Sequence, residues 1–135
     1  MTRFSITMDE ALDFILDSTK IGIGSEIFVP KLRAYSIIDI KNALTEILGK
    51  TKEEQIGIRA GEKLHETLIN HDEMRDVYDL GDKYVIINPS NTKNIKKYST
   101  KMKKNDLMNS YSSDKVEKIP NDELKKLIAN AGLLK

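Results

Sequence analysis

The segments of this sequence that read as strands are all short: EIFVP, IGIR, VYDL and KYVIIN. Between them lie stretches with apolar residues at helical spacing, so helix and strand alternate along residues 1 to about 90. A complete doubly wound nucleotide-binding sheet needs more and longer strands than these. The expected fold class is therefore a small α/β unit, α+β-like in its layout, with no complete Rossmann sheet.

Stop and start signals place the elements. TRFSI is a short extended entry, and Thr7 with Glu10 forms a T-x-x-E capping box that opens a helix to about Lys20. Ala11, Leu12, Ile15 and Leu16 are expected to be its buried stripe, while Asp9, Asp13 and Asp17 recur four apart as a solvated one. Gly22 and Gly24 turn the chain into EIFVP, which Pro30 ends by removing a backbone donor. Ser36 caps the clearest helix, with Ile37, Ile40, Ala43, Leu44, Ile47 and Leu48 at helical spacing and Gly49 as its left-handed C-terminal cap. The pattern then predicts a strand at IGIR, a helix at EKLHETLI, and VYDL and KYVIIN joined by a turn at Gly81 and Asp82. Residues 91–118, rich in Lys, Asn and Ser, read as a loosely organised segment. Pro120 and Asn121 start a last amphipathic helix within 119–135, carrying Leu124, Leu127, Ile128 and Ala131 and stopped by Gly132.

Composition narrows the functions. A net charge of +1 with 32% charged residues gives no global attraction to nucleic acid or membrane, and 39% hydrophobic residues suffice for a core. No run approaches the roughly 18 apolar residues of a spanning helix. The N-terminus lacks the order of a signal peptide, and a cytoplasmic location is the expectation. The absence of cysteine excludes disulfides, thiolate catalysis and Cys-ligated metals.

Most candidate motifs reduce to ordinary structure. Gly22 and Gly24 make a G-x-G, but it follows a helix and precedes a strand, the reverse of the phosphate-binding order. His65 and His71 stand six apart, whereas two metal ligands on one helix face stand four apart. No metal site and no catalytic residue is expected. The six lysines from Lys93 to Lys104, with Tyr98 among them, suggest an RNA-contacting tail or one for an acidic partner. The missing arginines and further aromatics favour a solvated linker, so nucleic acid is not the expected partner.

IGIRAGEKLHE, residues 56–66, is different. Arg59 at a strand end presents a planar guanidinium that matches a phosphate in two-pronged fashion. Gly61 permits close approach or a positive φ, and the first amides of a following helix also favour an anion. Glu62 adds an acceptor for sugar hydroxyls. The competing reading is a surface arginine paired with a carboxylate, with Glu62 as a first-turn helix residue. The chemistry alone leaves both open.

The ordered series MTRFSIT, EALDFIL, GSEIFVPK, IGIRAGEKLHETLI and GDKYVII resembles the C-terminal part of bacterial UDP-N-acetylglucosamine 4,6-dehydratases of the 5-epimerising type. These belong to the polysaccharide biosynthesis group of the extended short-chain dehydrogenase/reductases. The resemblance runs from Met1 to about Asn88 and returns weakly at YSSDKVEKIPNDELKKLI. It implies that residues 1–90 form a nucleotide-sugar substrate-binding domain. Family members carry G-x-R-P-G-E where this chain has GIRAGE, so Arg59, Gly61 and Glu62 are expected at the UDP phosphate and ribose. Arg3 in T-R-F would be a second arginine of the clamp. Ala60 replaces the usual proline and Ser5 a common aromatic, which loosens the loop without removing charge.

The resemblance also implies NADP in full-length relatives, held upstream by a glycine-rich motif and served by a Tyr-x-x-x-Lys pair. Neither motif is found in this chain, which is expected to bind no cofactor itself. Met1 coincides with a methionine commonly internal to the family motif, implying a truncated product or a separately encoded half. The expected partners are a UDP-sugar and either a Rossmann-domain chain or a second copy.

Overall fold

The computed structural model describes residues 1–50, 52–99 and 109–131. In chain order these form β1 (Thr2–Ser5), α1 (Met8–Ile21), β2 (Ile27–Pro30), β3 (Arg33–Ser36), α2 (Ile37–Leu48), β4 (Thr67–Ile69), β5 (Val77–Asp79), β6 (Lys83–Ile86), α3 (Thr92–Ser99), β7 (Tyr111–Ser112) and α4 (Asn121–Asn130). A 3-10 turn, Glu73–Asp76, precedes β5. This is the mixed α/β arrangement of short elements that the sequence predicts. The chain divides into two compact units, one of Met1–Ser5, Arg33–Glu66 and Ser113–Lys135, the other of Ile6–Leu32 and Thr67–Ser112.

In the first unit β1 and β3 pair antiparallel, Arg3 opposite Tyr35 and Phe4 opposite Ala34. The Ser36 hydroxyl accepts from the Asp39 amide while the Asp39 carboxylate accepts from the Ser36 amide, a reciprocal cap that starts α2. Gly49, at φ +86°, donates to the Thr45 carbonyl and closes it. Ala43 of α2 packs with Ile119, Leu124 and Ile128, and Ile40, Leu44, Ile47 and Leu127 surround them. Two helices thus bury the middle of the apolar stripes that the spacing foretold, while Ile37, Leu48 and Ala131 at their ends are exposed. Residues 117–119 run beside β3: Ala34 donates to the Glu117 carbonyl and accepts from the Ile119 amide. Arg33 pairs with Glu123 at the start of α4. The stop expected at Gly132 lies outside the described residues.

The second unit is built on the antiparallel sheet β2-β6-β5. Gly81, at φ +94°, makes the expected turn between β5 and β6, where Leu80 donates to the Lys83 carbonyl. Val85, Ile87 and Tyr98 form its core, with Phe28, Tyr78, Leu80 and Ile95 against them. β4 and β7 pair separately, Ile69 opposite Tyr111. Within the span read as loosely organised, α3 supplies two of these core residues. Its signal is obscured because Lys93, Lys96 and Lys97 stand around Ile95 and Tyr98 in a short polar stretch.

The expected buried stripe of α1 is corrected. The Thr7–Glu10 capping box forms as read, yet Leu12, Ile15 and Leu16 are 51%, 55% and 58% exposed. The neighbouring face, with Phe14 and Ser18 half-buried, is the one packed. A side chain added at Gly22 would meet Phe28 at 3.5 Å, and the Phe14 ring lies 5.5 Å from Lys83 Nζ.

The loop between α1 and β2 is organised by Glu26. Its carboxylate accepts from the Ile23 amide at 2.9 Å, the Gly24 amide at 2.6 Å and the Tyr98 hydroxyl at 2.9 Å. Burial pushes the Glu26 carboxyl up, but these donors outweigh it and hold the group below its ordinary 4.5. A depressed carboxyl contributes stability that is present above the unfolded value and lost as pH falls through the folded one. Thermal melts should therefore show wild-type stability declining below about pH 4.5, with Glu26→Gln less stable near neutrality and declining less steeply. Parallel pH profiles for the two proteins would contradict this account.

Candidate anion-binding site

Neither regular element expected around Arg59 forms. No strand occurs between residues 52 and 59; Gly57 at φ +74° interrupts the extended path, and Ile56 and Ile58 are 67% and 59% exposed. The predicted helix at EKLHETLI is also absent. Its backbone is committed to distant partners: the Leu64 carbonyl accepts from the Thr2 amide, and the Glu66 carbonyl accepts from the Ser113 amide at 2.8 Å. The Glu66 amide donates to Ser113 Oγ at 2.9 Å. A residue using its amide and carbonyl this way cannot also serve the i to i−4 ladder.

What forms instead is a tight turn. The Glu62 amide donates to the Arg59 carbonyl at 3.0 Å, and Gly61, third of the four residues, has φ +80°. This is the geometry of a type II turn, which calls for glycine at that position. The Arg59 amide in turn donates to Glu62 Oε2 at 3.1 Å, so the carboxylate folds back over the turn. Glu62 Oε1 lies 4.0 Å from Arg3 Nη2.

Arg3 sits on β1 and reaches two carboxylates, with Nε 3.7 Å from Glu66 Oε1 as well. Glu66 Oε2 accepts from the Phe4 amide at 2.8 Å, fixing it beside β1. The side chain of Arg3 is 21% exposed and also donates to the Thr2 carbonyl. Its charge is thus largely matched where it stands. Arg59 is exposed, and among the described residues its guanidinium has no ion pair or hydrogen bond. The structure therefore brings Arg3, Gly61 and Glu62 together with the backbone of Arg59, and leaves the Arg59 head group presented to solvent.

Four neighbours, Thr2, His65, Glu66 and Ser113, were not among the site residues read from the sequence. Thr2 Oγ1 is hydrogen-bonded to His65 Nδ1 at 2.8 Å and to Ser113 Oγ at 2.7 Å. Glu66, next in the chain, holds Arg3. These partners lie 63 and 111 positions apart in sequence, and no local pattern could signal them.

The other candidates resolve as follows. Among the described residues no group of His, Asp and Glu is arranged to hold a metal, and His71 Nδ1 faces the Asn109 carbonyl. Gly22 donates to the Ser18 carbonyl as the cap of α1, and the Ile23 and Gly24 amides are taken by Glu26, so the G-x-G presents no free amides to a dinucleotide phosphate. The described residues do not fit a nicotinamide dinucleotide. Tyr98 is 1% exposed and cannot stack on a base; burial and then Glu26 raise its hydroxyl well above the ordinary phenol range. Lys97 reaches the Ile21 carbonyl. Lys101, Lys103 and Lys104 lie outside the described residues. Among those described, no helix is long and apolar enough to cross a membrane.

A family model described as "Polysaccharide biosynthesis protein" matches residues 1–88. The UDP-N-acetylglucosamine 4,6-dehydratase (inverting) of Campylobacter jejuni is 40% identical over 90 residues, 67% of this chain and 26% of that protein. The UDP-glucose 4-epimerase of Rickettsia felis is 35% identical over 132 residues, 96% of this chain and 39% of that protein. The likeness to the epimerase thus covers more of this chain than the likeness to the dehydratase does. In structure, Pen from Bacillus thuringiensis matches with a TM-score of 0.75 and 31% identity, over 100% of this chain and 39% of that one. The chain spans about two fifths or less of each.

The turn makes its own test possible. Nothing lies within 4 Å of a Cβ built on Gly61, so Gly61→Ala meets only backbone strain and should cost about 1 kcal/mol. Ala60→Pro, at the position where a type II turn favours proline, should stabilise by roughly 0.5 kcal/mol. Urea unfolding measures both; equal midpoints for Gly61→Ala and wild type would show that the turn is not held as described.

Proposed function

Because the chain belongs to the polysaccharide biosynthesis protein family, we propose that it is the nucleotide-sugar-binding portion of a UDP-sugar dehydratase or epimerase, and that Arg59 and Glu62 grip the UDP. The observation that carries this reading is the Arg59–Glu62 turn, which holds the Glu62 carboxylate on the Arg59 amide and presents a guanidinium with no ion pair among the described residues. A guanidinium binds phosphate through two parallel N–H donors, and a carboxylate accepts from vicinal sugar hydroxyls. A phosphate bound to a ribose displays both groups a few ångströms apart. Gly61 has no side chain to obstruct the approach, and its positive φ sets the distance between the two.

In this reading Arg3 has a positioning role. It faces Glu62 at 4.0 Å and shares itself with Glu66, keeping the Glu62 carboxylate aimed while Arg59 meets the ligand. When a diphosphate adds negative charge, Arg3 can turn from the carboxylates to join the clamp, at the cost of two ion pairs longer than 3.5 Å. Half-exposed ion pairs of this kind are worth little, roughly 0–1 kcal/mol each, so the exchange is cheap. The substrate class is a UDP-linked hexose, with UDP-N-acetylglucosamine favoured by the 40% identity of the Campylobacter jejuni dehydratase over 90 residues, against 35% over 132 for the epimerase. The redox and elimination chemistry of such an enzyme belongs to a cofactor, and the residues described here supply the sugar-nucleotide grip alone.

Titrating UDP into the isotopically labelled chain should move the amide resonances of Arg59, Gly61 and Glu62, with a Kd on the order of 1 mM for this open site. Arg59→Ala should weaken binding at least tenfold, about 1.4 kcal/mol, and Arg59→Lys should fall between because it keeps the charge and loses the fork. UDP affinity that is the same in wild type and Arg59→Ala removes the assignment.

A further inference from the structure

Between α2 and the residues that lead into α4, the first unit carries a groove of about 600 Å³. Asp39, Asn42 and Glu46, spaced three and four apart on one face of α2, form one wall. Lys118 and Asn121 stand across from them, and Ile119 and Pro120 supply an apolar surface. Both ends are fixed. At one, Asp39 Oδ2 accepts from the Ser36 amide at 3.0 Å; at the other, Glu46 accepts from Asn121 Nδ2 at 3.0 Å and from Lys125 Nζ at 2.8 Å. Ser36, and more weakly the Lys118 charge, holds the Asp39 carboxyl below its ordinary value, as Lys125 and then Asn121 do for Glu46. Residue 118 is set in place because Ala34 bonds its two neighbours, at the Glu117 carbonyl and the Ile119 amide. The middle is open. The Asn42 side-chain amide and the Lys118 ammonium belong to exposed residues and, among the described residues, make no hydrogen bond or ion pair.

We infer that this groove is a second binding site of the chain and that it takes a neutral pyranose. The charges decide the class of ligand. Asp39 feels the Lys118 charge and Glu46 holds Lys125, so the walls are near balance, and a ligand carboxylate or phosphate would meet two carboxylates. A nucleobase finds no aromatic ring or arginine in the lining to stack on. Among the described residues no group of His, Asp and Glu is arranged to hold a metal. What the walls offer is a mixture of donors and acceptors: the Asn42 amide is both, the Lys118 ammonium donates, and the Asp39 carboxylate and the Asn121 amide oxygen accept. Each sugar hydroxyl is also both donor and acceptor, and the exposed Pro120 ring gives the C–H face of a pyranose an apolar contact. The volume lies within the range of small-molecule sites. The groove shares no residue with the Arg59–Glu62 turn or with the carboxylates facing Arg3, so this site is additional to the UDP grip and does not depend on it.

The test is to titrate methyl β-D-glucopyranoside into the isotopically labelled full chain. The backbone amides of Asn42, Glu46 and Asn121 and the side-chain amide of Asn42 should shift, with a Kd on the order of 10 mM. Asn42→Ala should weaken binding about fivefold, the worth of one net hydrogen bond, and Lys118→Ala by a similar factor. Lys118→Gln, which keeps a donor, should lose less. D-glucuronate, the same ring with a carboxylate added, should bind more weakly than the glucoside. Asn42 and Lys118 are exposed, so thermal melts of their variants should match wild type. The UDP-induced shifts at Arg59, Gly61 and Glu62 should persist in Asn42→Ala, and the glucoside shifts in Arg59→Ala, which separates failure of this site from failure of the sugar-nucleotide grip. The inference is overturned if glycerol at equal hydroxyl concentration produces the same shifts, if Asn42→Ala binds the glucoside as well as wild type does, or if glucuronate binds more tightly.

Discussion

The hydroxyl of Thr2 is the joint on which the first unit depends. It meets His65 at 2.8 Å and Ser113 at 2.7 Å, tying the N-terminal strand to two segments that arrive from far along the chain. Thr2 is 4% exposed and Ser113 fully buried, so the low-dielectric setting makes these bonds costly to lose. Ser113 then takes the Glu66 amide, and Glu66 takes the Phe4 amide and faces Arg3. The candidate site is thus a consequence of backbone alignment. Once residues 64–66 lie along β1, Glu62 is within reach of Arg3.

How much of this was legible depended on whether the information was local. The capping box at Thr7–Glu10 and the cap at Ser36 form as read, and so do the turn at Gly81 and the middle of the α2 stripe. Each is decided by residues within a few positions. IGIR and EKLHETLI failed for the opposite reason. Alternation suggested a strand, but a strand requires a neighbour and Gly57 turns the chain away from one. Helical spacing suggested a helix, but hydrogen bonds to Thr2 and Ser113 outcompeted the local ladder. Arg59, Gly61 and Glu62 nevertheless stay neighbours, because a four-residue turn keeps them together whether or not a strand precedes it or a helix follows. That Arg59, Gly61 and Glu62 share one turn was readable; the support under it was not.

The second unit shows the same division. Lysines hid α3, while Tyr98 and Ile95 on its inner side were the informative residues, and Tyr98 could be recognised as core only once its ring was seen beside Val85 and Ile87. Helix α1 misled in the other direction. Its apolar stripe was read as core by a rule that holds for a self-sufficient domain, and the stripe stands exposed while Phe14 and Ser18 turn toward the sheet.

Glu26 has a bearing on ligand choice as well as on the loop it organises. The amides of Ile23 and Gly24 donate one to each carboxylate oxygen of Glu26, as the donors of a nest face an anion. The carboxylate already there is tethered two or three residues away, so any dissolved anion competes with a local concentration on the order of millimolar or above. The chain thereby carries a built-in competitor that closes one cradle to phosphate. The glycine pair at 22 and 24 therefore offers no open amide to an anion.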